Sequence, residues 1–281
     1  MMRNITGVIF CSAILLAGGF LSGCGGYYVL TVPDQVAPVD GKAVATVRLQ
    51  RNDFLVLVLP EKGQPMRFSI QDPGADSGSG GRGREMSAQT DLEGYAGVPF
   101  SMSAPPVNGK PGVYTLEVRL QDMYGDRLKR RSRLFVWDPQ QHLIAVEMDA
   151  LPMFGSGKEK ATAALRRAKR KANIVYLTEH SMRDYESQHN LLAEAGYPDG
   201  PILLWQYRRW RMKKVGSLGV TIITFDPSLR GNLQLLLKDF PNLKTGVCSS
   251  SEAREAFLEA GLDPIVIGFG FAEDDWSKLK L

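Results

Sequence analysis

The sequence predicts two folded parts in series, an all-β sandwich over residues 27–138 and an α/β unit with a parallel sheet over residues 141–281. Short β-branched and aromatic runs, separated by Gly, Pro, Asn and Asp turns, fill the first part, as antiparallel sandwiches do. Apolar strand runs alternate with helical patterns in the second, the sign of a parallel, doubly wound sheet. The length of 281 residues suits two domains.

Composition agrees with a folded chain: 44% of residues are hydrophobic and 23% charged. The net charge of +4 is too small to argue for nucleic acid, and no nucleic-acid partner is expected. His142, His180 and His189 are scattered, without metal-ligand spacing. The cysteines are Cys11, Cys24 and Cys248, and no internal disulfide is expected among them.

Residues 1–23 read as a secretory leader: a basic start with Arg3, an apolar stretch over 5–21, and small residues before Cys24. The apolar stretch is shorter than the roughly 20 residues of a comfortable membrane span. Leu21-Ser22-Gly23-Cys24 resembles the bacterial lipobox, in which the chain is cut before the Cys and that Cys is lipid-modified. The resemblance implies a mature chain that starts at Cys24 and is tethered to a membrane, with residues 24–26 as the anchored start. Gly25 and Gly26 include no Asp, which by similarity to enterobacterial sorting rules points to the outer membrane.

In the first part, strands are expected over 27–32, 43–49, 54–59, 66–70, 97–101, 113–120 and 132–137. The turns between them include Pro33-Asp34, Asp40-Gly41, Lys62-Gly63, residues 108–112 and Tyr124-Gly125-Asp126. Residues 72–84, rich in Gly and Ser, read as a surface loop; no Lys-Ser/Thr ending or helix follows to make a phosphate loop of it. Thr90-Asp-Leu-Glu-Gly94-Tyr-Ala-Gly-Val98, followed by Pro111-Gly112-Val-Tyr114, resembles bacterial immunoglobulin-like modules. That resemblance implies a fold and says little about function.

In the second part the first strand ends in Val146-Glu147-Met148-Asp149. Period-two alternation would put both carboxylates on one side of the strand, at the end where α/β sheets collect ligands. A basic helix follows over 158–171, then a strand over 173–177 ending at Thr178, and a helix over 182–195 stopped by Gly196. Strands are expected over 201–205, 219–223, 245–247 and 264–268, and helices over 229–239 and 252–260. Ser249-Ser250-Ser251 reads as a helix N-cap with neighbours, and anion binding at that helix end is the alternative.

The order of these pieces resembles haloacid-dehalogenase-like (HAD) phosphatases. It is closest to the branch of lipin-type and actin-patch-type phosphatidate phosphatases. The resemblance is carried by Glu147-Met148-Asp149, by the strand ending at Thr178, and by Ala195-Gly-Tyr-Pro-Asp-Gly-Pro-Ile-Leu-Leu204. It continues through Phe240-Pro241 and Thr245-Gly246 to Phe257. It implies a Rossmann-like parallel sheet and phosphoryl transfer through an Asp nucleophile, an Asp acid/base, a hydroxyl and a Lys on the phosphate, and Mg²⁺ held by further acids.

Carried over position by position, Glu147 stands at the nucleophile, Asp149 at the acid/base, Thr178 at the phosphate-holding hydroxyl and Arg230 at the Lys. Any Mg²⁺ would fall to Asp149 and Glu147, because the metal-acid run coincides with residues 249–253, where Glu252 is the nearest carboxylate. A Glu at the nucleophile moves the attacking oxygen by roughly 1 Å, a shift that can cost about 10²-fold.

Three readings of function follow. The first is a lipid-anchored cell-envelope protein whose HAD-like part has lost phosphatase chemistry and binds a ligand or partner. The second is an active Mg²⁺-dependent phosphatase acting on phosphatidate or another phosphate ester. The third is a structural component of an envelope assembly. The partners expected are the membrane through lipidated Cys24, and anionic lipid or an envelope protein. The basic runs 166–171 and 207–214 are the first candidates for such contacts, against a plain reading as a solvated helix face and a charged loop. Cys248 reads as a buried thiol rather than a nucleophile.

Overall fold

The computed structural model describes residues 27–53, 57–72, 85–122, 125–178, 185–204, 210–215, 219–224, 228–268 and 275–279. The leader, Cys24, His180, most of the Gly/Ser-rich loop and residues 207–209 of the second basic run lie outside the described residues. Among the described residues, no helix is long and apolar enough to cross a membrane.

The first part is built from β1 (Tyr27–Thr31), β2 (Gln35–Pro38), β3 (Lys42–Asp53), β4 (Leu57–Pro60), β5 (Pro65–Gln71), β6 (Met86–Gln89), β7 (Tyr95–Ser101), β8 (Gly112–Asp122) and β9 (Gly125–Trp137). They form two sheets. In one, β3 pairs antiparallel with β1, β4 and β7; the other has the order β2-β9-β8-β5-β6. Alternate residues of both sheets, such as Val47, Leu49, Phe68, Val118 and Leu120, fill the core between them. That is the sandwich the alternating pattern predicts.

The local signals have visible causes. The Asp91 carboxylate accepts the N–H of Glu93 (2.8 Å) and of Tyr95 (2.9 Å), which closes the turn. Gly94 sits there at φ +79°, and a Cβ would come within 2.2 Å of the Leu49 carbonyl. The Tyr114 hydroxyl donates to the Lys110 carbonyl at 3.0 Å. Two strands escape the sequence reading. Pro33-Asp34, taken as a turn, is the crossover by which the chain passes from β1 in one sheet to β2 in the other. The short β6 pairs with β5 beyond the Gly/Ser-rich segment.

The second part contains β10 (His142–Glu147), α1 (Gly155–Lys169), β11 (Ala172–Thr178), α2 (Tyr185–Glu194), β12 (Ile202–Leu204), β13 (Trp210–Val215), β14 (Gly219–Thr224), α3 (Leu229–Asp239), β15 (Leu243–Cys248), α4 (Ser251–Glu259) and β16 (Asp263–Val266). Five strands form an all-parallel sheet in the order β12-β11-β10-β15-β16. Both faces are covered. Ile144, Val146, Ile174 and Tyr176 pack with α1 and Leu192 of α2, whereas Leu143, Ala145, Val175 and Leu177 face α3 and α4. Double coverage explains why β10 and β11 read as unbroken apolar runs.

Residues 219–223, expected as a member of the parallel sheet, instead form β14 of an antiparallel hairpin with β13. Residues 210–214, read as charged loop, are the other arm of that hairpin. An apolar run of this length specifies a strand but not its sheet, since periodicity carries no pairing information.

The two parts are joined through buried contacts. Phe135 and Trp137 of β9 enter the core of the α/β part, where Trp137 meets Phe240 edge-on at 6.2 Å. Asp34, buried in the crossover, accepts from His189 Nε2 of α2 (2.6 Å), from the Ile202 N–H of β12 (2.9 Å) and from the Arg133 N–H of β9 (3.0 Å). Arg133 in turn pairs with Asp199 at 2.8 Å.

On the outward face of the second sandwich sheet, Glu117 is buried beneath Lys129 (2.7 Å), Arg119 (2.8 Å) and Arg131 (2.9 Å). Burial alone raises this carboxyl, but the hydrogen bonds from the three cations hold it down at about 2.

Two outcomes are expected from these contacts. Asp34→Ala strips three donors of their acceptor at the joint and lowers stability by about 3 kcal/mol, read as an earlier thermal unfolding transition. Because Glu117 is depressed from its ordinary 4.5 to about 2, its contribution is fully present above 4.5 and is lost as pH falls through about 2. Urea unfolding across that range should show the loss in the native protein and a flatter profile in Glu117→Gln.

Candidate functional site

In the parallel sheet, β11 and β12 lie on one side of β10, and β15 and β16 on the other. The chain reverses its direction of travel between β10 and β15, and the crevice beyond the carboxyl ends of such a strand pair is the usual ligand position. β10 ends there at Glu147 and β15 at Cys248, one register step past the Val146–Val247 pair.

The protein's own carboxylate lies at this strand end. Glu147 is only 3% exposed. Its Oε2 accepts the Ser249 N–H at 2.6 Å and the Ser250 N–H at 3.1 Å, with Ser249 Oγ at 3.4 Å. Its Oε1 accepts the Ser250 hydroxyl at 2.6 Å. Ser250 is the N-cap of α4, and its Oγ accepts the Ala253 N–H at 3.1 Å. A helix N-terminus offers unpaired N–H groups and a partial positive charge, the setting that recruits phosphate in nucleotide-binding folds. Here Glu147 takes that seat. Gly246 of β15 makes the approach possible: a Cβ there would fall 2.2 Å from the Phe257 ring, so its absence lets α4 lie close against the sheet.

Asp149 departs from the expected arrangement. β10 stops at Glu147 and the chain turns into a short 3-10 segment, Met148–Ala150. Strand alternation therefore ends before Asp149, which is exposed while Glu147 is buried. Thr178 is placed near Glu147: it is the buried last residue of β11, one step beyond the Glu147–Leu177 pair. Arg230, in the first turn of α3, is more than half exposed and pairs with Glu259 at 3.0 Å. The structure thus brings Glu147 and Thr178 to adjacent strand ends and engages Arg230 in a surface pair.

Mg²⁺ does not fit this donor set, because Glu147 is buried at the strand end and engaged by Ser249 and Ser250 while Asp149 is carried out to the surface on the 3-10 segment, so the two carboxylates do not share a strand face. Among the described residues, no three His, Cys, Asp or Glu side chains converge as metal ligands. The Cys248 thiol is pushed up to about 11 by burial, with the Glu147 carboxylate adding to the effect, so it stays protonated at neutral pH. In the run 166–171, Arg166 donates to the Gly196 carbonyl (2.8 Å), and Lys169 lies 5.6 Å from the Trp137 ring. Burial lowers the Lys169 ammonium from its ordinary value.

Sequence reasoning identified the serine N-cap and the carboxylate but not that they bind each other. An N-cap Ser pair at the end of a strand, next to a strand ending in Glu, is the signal that could have suggested it.

No protein-family model matches the chain, and no curated protein matches it. Among solved structures it is similar to a β-glucosidase from Listeria innocua in complex with glucose, at 10% identity over 40% of this chain and 16% of that one, TM-score 0.25. It is similar to a β-glucuronidase from Bifidobacterium dentium at 12% identity over 83% of this chain and 41% of that one, TM-score 0.29. An immunoglobulin-like protein from Pseudomonas aeruginosa matches at 16% identity over 41% of this chain and 94% of that one, TM-score 0.22. The chain spans less than half the length of either glycosidase. Likeness at this level transfers no activity, and the architecture rests on the chain's own sheets: a β-sandwich followed by an α/β unit with a five-stranded, all-parallel sheet.

Proposed function

We propose that the chain is a lipid-anchored cell-envelope protein whose α/β part, HAD-like by resemblance, binds a ligand or partner and does not carry out phosphoryl transfer. The observation that carries this reading is the engagement of Glu147. A nucleophile must be able to reach an incoming phosphorus, and this carboxylate is buried and bound on both oxygens at the N-terminus of α4. The exposure of Asp149 and the pairing of Arg230 with Glu259 support it further. The lipobox-like residues ahead of Cys24 support the anchor. The phosphatase reading keeps one observation in its favour, the adjacency of Thr178 and Glu147 at neighbouring strand ends.

Enzyme assays separate the two. Mg²⁺-dependent release of phosphate from phosphatidate or p-nitrophenyl phosphate is expected to be absent, and Glu147→Asp is expected not to create it. Turnover abolished by Asp149→Asn would sink the non-catalytic reading.

A structural role for Glu147 also predicts stability effects. Glu147→Gln keeps the shape but loses the charge at the helix terminus, at a cost of about 1–2 kcal/mol. Glu147→Ala leaves the Ser249 and Ser250 donors without an acceptor and costs about 2–3 kcal/mol, both read from urea unfolding. The anchor is checked by incorporation of labelled palmitate into the full chain, which should vanish in Cys24→Ala.

A further inference from the structure

The outward face of the β2-β9-β8-β5-β6 sheet changes character along its strands. Near β2, Val36, Val113, Phe135 and Trp137 are covered by the α/β part. Toward the β8–β9 hairpin, the same face carries Arg131, Lys129, Arg119 and Arg67. Register places Arg67 opposite Arg119 and Arg119 opposite Lys129, so these cations form one row across neighbouring strands. Like charges in such positions repel and cost sheet stability.

Glu117 answers part of that charge from below. Its side chain is 0% exposed, whereas those of Lys129 and Arg131 above it are 41% and 50% exposed. Arg67 pairs with Glu85 at 3.5 Å. Arg67, Arg119, Lys129 and Arg131 thus gather on this face around the carboxylates of Glu117 and Glu85. The carboxylate of Glu117 lies inside and the cationic heads lie outside, so anything resting on the face meets positive charge.

The chain's start points to the same end of the sandwich. β1 passes through residues 32–34 into β2, which runs parallel to β9 with Gln35 opposite Leu134. Tyr27, eight residues before Gln35, therefore lies toward the beginning of β9, at the hairpin. Cys24 is three residues further, a reach of at most about 11 Å.

We propose that this basic sheet face rests on anionic lipid headgroups of the membrane to which Cys24 tethers the chain, an inference that builds on the lipid-anchor reading above. A sheet presents its cations in one plane, as a membrane surface requires. Grooves, by contrast, track polymer backbones. The tether keeps the chain at the bilayer surface, where the attraction of Lys and Arg to anionic lipid acts over about a Debye length.

The test uses the chain from residue 25 onward, which retains every described strand and helix and lacks the tether. It should co-sediment with vesicles of phosphatidylcholine mixed with phosphatidylglycerol, and not with vesicles of phosphatidylcholine alone. Binding should fall as sodium chloride rises. Lys129→Gln combined with Arg131→Gln should weaken binding about 25-fold, at about five-fold per cation. Since that pair also leaves Glu117 with fewer donors, Arg67→Gln serves as the second variant. It leaves the Glu117 cluster intact and should weaken binding about five-fold. Equal sedimentation with neutral vesicles, or indifference to both salt and Arg67→Gln, would overturn the proposal. Retention on heparin without any vesicle binding would overturn it as well, in favour of an anionic polysaccharide. Palmitate labelling reports on the tether alone, so failure of the anchor and failure of the basic face are told apart.

Discussion

A carboxylate taken out of water has to be met by donors or cations, and the described part of this protein buries three of them, Asp34, Glu117 and Glu147. Each stands where two pieces of the fold come together. Asp34 joins the sandwich to the α/β part, Glu117 gathers a row of cations on one sheet, and Glu147 ties β10 to the start of α4. The means differ. Asp34 accepts two backbone N–H groups and an imidazole, Glu117 takes three full charges, and Glu147 uses backbone N–H groups with serine hydroxyls at a helix terminus.

The Glu147 arrangement governs how the α/β part can be used. A parallel sheet of this order leaves a crevice where strand succession reverses, and the adjoining helix N-terminus is built to receive an anion. In this chain the anion is internal. An internal carboxylate needs no encounter and loses no translational freedom, so a free phosphate competes for the seat at a disadvantage. The missing side chain of Gly246 lets α4 lie close against the sheet, which brings its N-terminus within reach of Glu147. The fold keeps the geometry of a binding crevice and satisfies it from within.

The sandwich, by contrast, keeps its charge outward. Its second sheet is divided between an apolar half, buried against the α/β part, and a cationic half that reaches solvent. Glu117 lowers the repulsion among those cations without neutralising them. Its pKa, depressed to about 2, means that this support persists across the physiological pH range.

Much of the architecture was legible in the sequence, because strand and helix patterns are local. The apolar runs of β10 and β11, the Asp91–Gly94 turn and the Ser250 cap each declare themselves within a few residues. The sequence alone therefore determined that a β-sandwich precedes an α/β unit, and that a carboxylate ends the first parallel strand. It put residues 219–223 in the parallel sheet, whereas they pair with β13 in a hairpin, since a short apolar run pairs equally well in either sheet. It also put Asp149 on the strand, because nothing local announces the 3-10 turn that follows Glu147. Tertiary structure alone decided what each buried carboxylate is for. Glu147 meets Ser249 across 102 residues, and Asp34 meets His189 across 155. No periodicity reports a contact at that separation; the cost of burying a charge selects it once the sheets have brought the partners together.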